Sequence, residues 1–557
     1  MYFSLFFNFV KKSGFLTVHA LRIRFLLLLL LYAPAFLFSQ VVYQDLGNTN
    51  IYEFLDELAT LNIISIHSDI KPYSRVYIAG KLKEALSKQD HLNKRQKKEL
   101  AFYLKDYNLE LQHDLGYFKT GKGLFNKTDN FGIPLNPLAF LYKDSIFSFS
   151  VRPILGIKYI ANSNGTAYHT WNGVEMFGTV GKHFGIYANI RDNHENQVMV
   201  TPGYFTQDEG AVWKRSGAGG DYSEMRGGVT FAWNWGSVAL TKDHFEWGGN
   251  YHGSNILSGR TPSFPYFELR MAPVKWFNFN YVTCWINSLV TDSSQAYYFP
   301  GGIRNINFSK FLSAAMVTFT PWKQLDISAG SSVVSCSKYY NPAFLSPFLF
   351  FVNFNYSGDS IQKKYYGRNS QLFLSVSSRQ IRHLHLYASL FIDDLSSGNN
   401  SAGYTGTSLS GKAGCRISDF PVQNFSFTGE YTRSTPNAYL CNVATLTYAS
   451  NEYNLGHYLK DNSQELYLAV GFKPVRGLHI SVDYVFAQHG DDQVNKTLGK
   501  ILWENQALSA GINYEFINNA YVFVQYQYSK TTGDVAFTPP IFLGNTNSVV
   551  TGINIGF

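Results

Sequence analysis

Charge is what this 557-residue chain has least of: 15% of its residues are Asp, Glu, Lys or Arg, against about 25% in ordinary soluble proteins. Cysteine is scarce too. Cys284, Cys336, Cys415 and Cys441 are far apart and match no metal-ligand spacing, which speaks against a zinc site or a cysteine-dense scaffold. An exported protein could pair them, and the plainer reading is four small apolar strand residues. Leu-rich runs are few beyond Leu31. With a mean hydropathy of −0.13, a bundle of membrane helices is excluded. No phosphate-cradling loop, zinc signature or serine-protease constellation is present, so no cofactor and no metal is expected.

What the chain does have is rings and glycine: 17% aromatic residues and 46 glycines. Many Tyr, Phe, Gly, Asn and Ser at low charge suit an outer-membrane barrel, apolar outside and polar within.

Residues 1–39 stand apart. Lys11, Lys12, Arg22 and Arg24 precede the apolar run Phe25 to Leu31, and small or polar residues follow near Ser39. That order is a secretory signal peptide. The alternative, an uncleaved membrane helix, has a short apolar core interrupted by Pro34. Removing the segment takes four basic residues and no acidic ones from a formal charge of +8. The mild balance left does not call for nucleic acid.

Residues 45–115 read as a small helical bundle. Asn50 with Glu53 has the spacing of a capping box, and Ile51, Phe54, Leu55, Leu58 and Leu61 recur at helical intervals. Pro72 and Ser74 mark a restart. Asn93 with Gln96 opens a third helix carrying Leu100, Leu104, Tyr107 and Leu111. Three short helices bury little surface alone, so the bundle is expected to dock on something larger, on the periplasmic side. The basic run Lys94, Arg95, Lys97, Lys98 reads as a solvated face, or else as a contact for anionic headgroups.

From about Lys143 the period changes to two, and 143–557 reads as the barrel. Phe147, Phe149 and Val151 alternate with Ser148, Ser150 and Arg152, and Leu508, Ala510, Ile512 and Tyr514 do the same near the other end. The chain ends Val549, Thr551, Ile553, Ile555, Phe557, which resembles the signal read by the barrel-assembly machinery. A closed barrel leaves no unpaired edge in lipid. At about 23 residues per strand and connection, the region holds about 18 antiparallel strands, with 16 to 20 acceptable. The polar inserts Tyr204–Tyr222, Asp393–Ser410 and His489–Gly499 are expected as outer loops, and Lys473–Gly477 as a turn. Lys242–Leu269, dense in Gly and Pro, is expected to form an irregular wall and not a plain strand.

Two groups of motifs carry a family resemblance. IYEFLDELATLNII (Ile51–Ile64), KPYSR (Lys71–Arg75) and NKRQKKEL (Asn93–Leu100) lie in the helical opening. EWGGN (Glu246–Asn250), ILSGRTPSFPYFEL (Ile256–Leu269), FIDD (Phe391–Asp394), GEYTRSTPNAY (Gly429–Tyr439) and LGHYL (Leu455–Leu459) lie in the barrel. Together they resemble the Wzi capsule-assembly family in its Bacteroidetes-type form. The resemblance implies an outer-membrane barrel with a helical bundle at its base. It also implies a non-enzymatic, lectin-like role in holding capsular or other surface polysaccharide on the cell.

Sugar binding calls for flat aromatic faces and paired polar groups. Trp213, Tyr222, Trp247 and Tyr251, with Arg215, Asp243, Glu246 and Arg260, have the right types. An acidic polymer favours the arginines, whose fork grips a carboxylate. The plain alternative makes the aromatics girdle anchors to outer-membrane lipid and the charges lumen pairs. Two other functions stand beside the lectin. A porin-like channel for small solutes shares every barrel feature. A phospholipase-like hydrolase draws on His252, Ser254 and Asn255, where a His two residues from a Ser lies on one face of a strand.

Overall fold

The computed structural model describes residues 41–111, 130–337, 367–394, 408–491 and 498–556. The signal segment, the terminal Phe557 and most of the Asp393–Ser410 insert lie outside the described residues.

Three helices open the described chain: α1 (Thr49–Thr60), α2 (Arg75–Ser87) and α3 (Lys94–Asp106). Ile51, Phe54, Leu55 and Leu58 bury one stripe of α1 against Ile78 and Leu82 of α2, Leu100 and Tyr103 of α3 and Tyr107 just after it, the stripe that the helical period creates. The cap of α3 is the expected one, with Asn93 and Gln96 bonded reciprocally to each other's backbone. Ser74 caps α2 by accepting from the Tyr77 N–H at 3.2 Å. The cap of α1 differs from expectation. The helix begins at Thr49 after Asn48, with no side-chain cap. Asn50 instead donates to Glu515, and Glu53 pairs with Lys473 at 3.0 Å, because both side chains have barrel partners. In the basic run, Arg95 is buried between Glu57 and Glu99, while Lys94, Lys97 and Lys98 are exposed.

The rest is a closed antiparallel ring of eighteen strands. The first nine are β1 (Phe147–Asn162), β2 (Gly165–Val180), β3 (Phe184–Glu195), β4 (Gly219–Trp233), β5 (Gly236–Asp243), β6 (Phe264–Val274), β7 (Phe277–Thr291), β8 (Asn307–Trp322) and β9 (Leu325–Cys336). The others are β10 (Gly367–Ser378), β11 (Leu384–Asp394), β12 (Ser408–Ser418), β13 (Phe425–Ser434), β14 (Ser463–Phe472), β15 (Leu478–Gly490), β16 (Ile501–Ile517), β17 (Ala520–Gly533) and β18 (Gly544–Ile555). The seam between first and last strand runs from Val549 opposite Ala161 to Ile555 opposite Leu155.

The two faces of the wall are the reverse of a soluble sheet. On β16 the outward Leu508, Ile512 and Tyr514 are exposed, while the inward Trp503, Asn505, Ser509 and Glu515 are buried. β1, β15 and β17 repeat the pattern, with Ile157, Val482 and Val524 outward. An exposed apolar exterior is stable only against hydrocarbon, so the belt is a membrane belt. Near the short turns 181–183, 234–235, 275–276 and 323–324 it ends in rings: Phe184 on Phe231 at 5.2 Å, and Trp276 on Phe319 at 5.0 Å. Such girdles hold the interface.

The helices dock on the short-turn end. His383 N–H donates to the Thr60 carbonyl at 2.9 Å, and Gln324 donates to the Ile64 carbonyl at 2.8 Å. The Asn424 side chain accepts from Asn93 and Arg95.

Candidate functional site

The Gly- and Pro-rich stretch leaves the wall. Lys242 and Asp243 finish β5 and Phe264–Leu269 belong to β6, but 244–263 folds into the lumen. Gly248 and Gly253 take positive φ there, +109° and +74°, a region that favours glycine. At its deepest point the loop meets the helical segment: Ile70 pairs with Trp247, and Lys71 with Glu246, as a two-residue ladder. The Trp247 ring is fully buried, in one core cluster with Phe373, Phe391 and Tyr439. A second inward loop, 435–462, completes that core. Tyr439 donates its hydroxyl to the Asn255 carbonyl at 2.7 Å, and Lys310 donates to the carbonyls of Thr447 and Ala449 at 2.7 Å each.

The tip of the first loop is clamped to the wall. Lys412 and Glu430, inward on β12 and β13 and both 0% exposed, pair at 2.6 Å. Glu430 also accepts from the backbone of Tyr251 at 2.6 Å and of His252 at 3.1 Å. Lys412 donates to the carbonyls of His252 and Gly253 at 2.9 Å each. The His252 ring stacks on Tyr467 with centroids 4.0 Å apart and meets Glu465 at 3.0 Å. Ser254 belongs to another network: its hydroxyl donates to the Trp247 carbonyl and accepts from the Ile256 N–H. His252 and Ser254 therefore do not form the base–nucleophile pair that a hydrolase requires, because their side chains are engaged on different neighbours.

Two further loops close over the mouth. Tyr204 of 196–218 stacks on Phe537 at 4.2 Å, and Phe205 on Phe542 at 4.3 Å. Gln207 reaches His252 at 2.7 Å, so the 196–218 loop rests on the first. The insert expected to run to Tyr222 is shorter, since Gly219 already starts β4.

On β1, β2 and β4 the inner wall is only partly covered, by the 196–218 loop and by Ile541 and Phe542. His169, Trp171 and Tyr222 point inward and are half-buried. The His169 ring lies 4.8 Å from Trp171 and 6.0 Å from Tyr222. Hydrogen-bonding groups edge this row: Asn193 meets His169 at 3.0 Å, and Trp171 donates to Asn554 at 3.0 Å. Lys158 faces Asp208 at 3.9 Å. Half-open rings among polar side chains suit a sugar, whose C–H face stacks while its hydroxyls bond.

The eight residues picked out in the sequence fall into separate places. Trp213 lies over Gly220, two residues from Tyr222 on the same inward face, and Tyr222 belongs to the aromatic row. Arg215 is exposed and donates to the Gly217 carbonyl at 3.3 Å. Asp243 accepts from Tyr187 at 2.7 Å. Glu246 pairs with Lys71 at 2.8 Å. Trp247 has no open face, and Tyr251 ties the loop tip to α1 and β11. Arg260 is buried where three loops meet. His169, Trp171 and the Lys412–Glu430 clamp went unnoticed in the sequence. Their one signal is the inward parity of their strands, which does not tell a ligand contact from a lumen pair.

The fold and site together define a closed membrane barrel with much of its lumen filled by its own loops. Among solved structures, Wzi of Escherichia coli is similar, with a TM-score of 0.55 at 11% identity over 93% of this chain and 100% of that one. It is described as an outer-membrane protein involved in group 1 capsule assembly and as a carbohydrate-binding β-barrel. OccAB2 of Acinetobacter baumannii aligns over 73% of this chain and 97% of its own at 9% identity, TM-score 0.43. OpdQ of Pseudomonas aeruginosa aligns over 74% and 98% at 10% identity, TM-score 0.42. No family model and no curated protein matches the chain.

Proposed function

We propose that this chain is a bacterial outer-membrane barrel that holds a capsular or other surface polysaccharide on the cell and takes no catalytic part in making it. In this reading residues 1–39 direct export, the helices lie on the periplasmic side, and the loops face outward. The observation that carries it is the half-buried row His169, Trp171 and Tyr222 on the inner wall of a barrel much of whose lumen is packed with loop. The likeness in fold to a carbohydrate-binding barrel supports it. The test compares cell-bound with shed polysaccharide in strains with and without the gene. Total polymer unchanged but moved into the medium is the expected result. Attachment unaffected by deletion would sink the proposal.

A second reading has its own observation. His479, Asp483 and Gln525 point inward from β15 and β17 yet are only half-buried, the polar, incompletely packed lining that a narrow solute path would need. Ion conductance of the purified protein in a planar bilayer separates the two. Steady open current supports the channel, and a closed trace supports the binder.

A further inference from the structure

Seven arginines are buried among the described residues. Six of them, Arg75, Arg95, Arg152, Arg226, Arg379 and Arg416, have a carboxylate within salt-bridge distance. Arg260 has none, although it is only 3% exposed. One of its nitrogens donates to the Gly203 carbonyl at 2.6 Å, and its Nε and Nη1 have no partner. Its guanidinium lies 5.4 Å from the Tyr453 ring and 5.8 Å from the Tyr458 ring. The acid in its vicinity, Asp208, turns to Lys158 instead. Taking a cation out of water without a counter-charge is strongly unfavourable, and the protein supplies none here.

We infer that Arg260 is the binding group for an anion that comes from outside the chain, namely the carboxylate of an acidic sugar unit. This rests on the polysaccharide reading. The position fits such a ligand. Arg260 sits where the loops 196–218, 244–263 and 435–462 converge: its carbonyl accepts from Gly210 N–H at 2.6 Å, and Tyr453 and Tyr458 come from the third loop. The 196–218 loop packs against it and is itself open to solvent, since Asp208 on that loop is 73% exposed in its side chain. When that loop lifts, two unpartnered guanidinium nitrogens and two aromatic rings are presented together. The guanidinium serves the carboxylate, and the rings offer flat faces to the sugar.

The test uses the full-length protein in detergent micelles, with trigalacturonate as the acidic probe, maltotriose as the neutral one and inorganic phosphate as a free anion. Trigalacturonate is expected to raise Tm and maltotriose to leave it unchanged. Arg260→Met removes the lone buried charge, so it is expected to be at least as stable as the parent without ligand. It should bind trigalacturonate roughly tenfold more weakly or worse, as loss of a charged hydrogen bond implies. A ligand shift that persists in Arg260→Met, or no shift in the parent, overturns the inference. An equal shift with phosphate at the same concentration overturns the sugar assignment, since any small anion then suffices. If Arg260→Met does not fold, Arg260→Lys is read in its place, and binding equal to the parent overturns the inference. In cells, deletion without shedding ends the polysaccharide reading itself. Shedding on deletion, with full retention by Arg260→Met, ends only the role of Arg260.

Discussion

The hydroxyl of Tyr251, at the tip of the inward loop, donates to the Asp56 carboxylate of α1 at 2.5 Å. A residue that enters from the long-loop end is thereby bonded to the helix that closes the short-turn end. Asp56 also holds Arg379 at 2.5 Å and Arg416 at 3.8 Å. Burial alone would raise its pKa, but those guanidinium groups hold it well below the usual carboxylate range.

Asp56→Asn leaves two buried arginines without their acid, which is expected to cost about 3–5 kcal/mol. Tyr251→Phe removes one hydrogen bond and costs about 1 kcal/mol. Thermal unfolding in detergent measures both. An Asp56→Asn protein as stable as the parent would mean that Arg379 and Arg416 find other partners.

The Lys412–Glu430 clamp sets a second expectation. Lys412→Met and Glu430→Gln each free the 251–253 backbone, so the loop becomes sensitive to protease and the barrel conducts ions more readily. The double variant is expected to be less than additive, because the two residues act as one device. Additive losses would show that each holds the loop separately.

Asp69 gives a pH dependence. Burial, with Asp326 nearby, pushes its carboxyl up to about 6 despite the hydrogen bond from Ser328. A raised acid binds its proton more tightly in the folded state than in the unfolded one. Its contribution is therefore fully present below about pH 4 and is lost as pH rises through about 6. Asp69→Asn imitates the protonated form and is expected to stabilise the protein at pH 8, by the order of 1–3 kcal/mol. The gain should vanish at pH 4. Equal effects at both values would remove Asp69 as the source.

The aromatic row is tested by Trp171→Ala and Tyr222→Ala, each expected to lower the cell-bound polysaccharide several-fold while the barrel still assembles. Trp171→Phe keeps a flat ring and should retain most of the binding. Retention unchanged in the double alanine variant would place the sugar contact elsewhere.

The wall was legible in the sequence because its period is simple: Leu508, Ile512 and Tyr514 must face one way and Ser509 and Asn513 the other. The α3 cap was legible for the same reason, being a local pattern between Asn93 and Gln96. The α1 cap was misread since Asn50 and Glu53 satisfy the spacing but find better partners on the barrel. The lumen contents carry no period. The loop 435–462 mixes Tyr, Asn, Thr and Leu in an order set by what each touches, so its role as a second plug was unreadable. The stretch Lys242–Leu269 announced irregularity through its glycines, yet whether it bends within the wall or leaves it depends on Ile70, far away in the chain. Arg260 was noticed as a type; its isolation among paired arginines is visible only in three dimensions.

The two-residue ladder between Ile70–Lys71 and Glu246–Trp247 has a mechanical consequence. It joins the openings of the barrel through backbone hydrogen bonds inside a tightly packed core, which transmits displacement and does not absorb it. A pull on the 244–263 loop from the long-loop end reaches the α1–α2 connection directly. The two ends of the barrel then share one movable part, and a load on the long loops is felt by the helices at the other end.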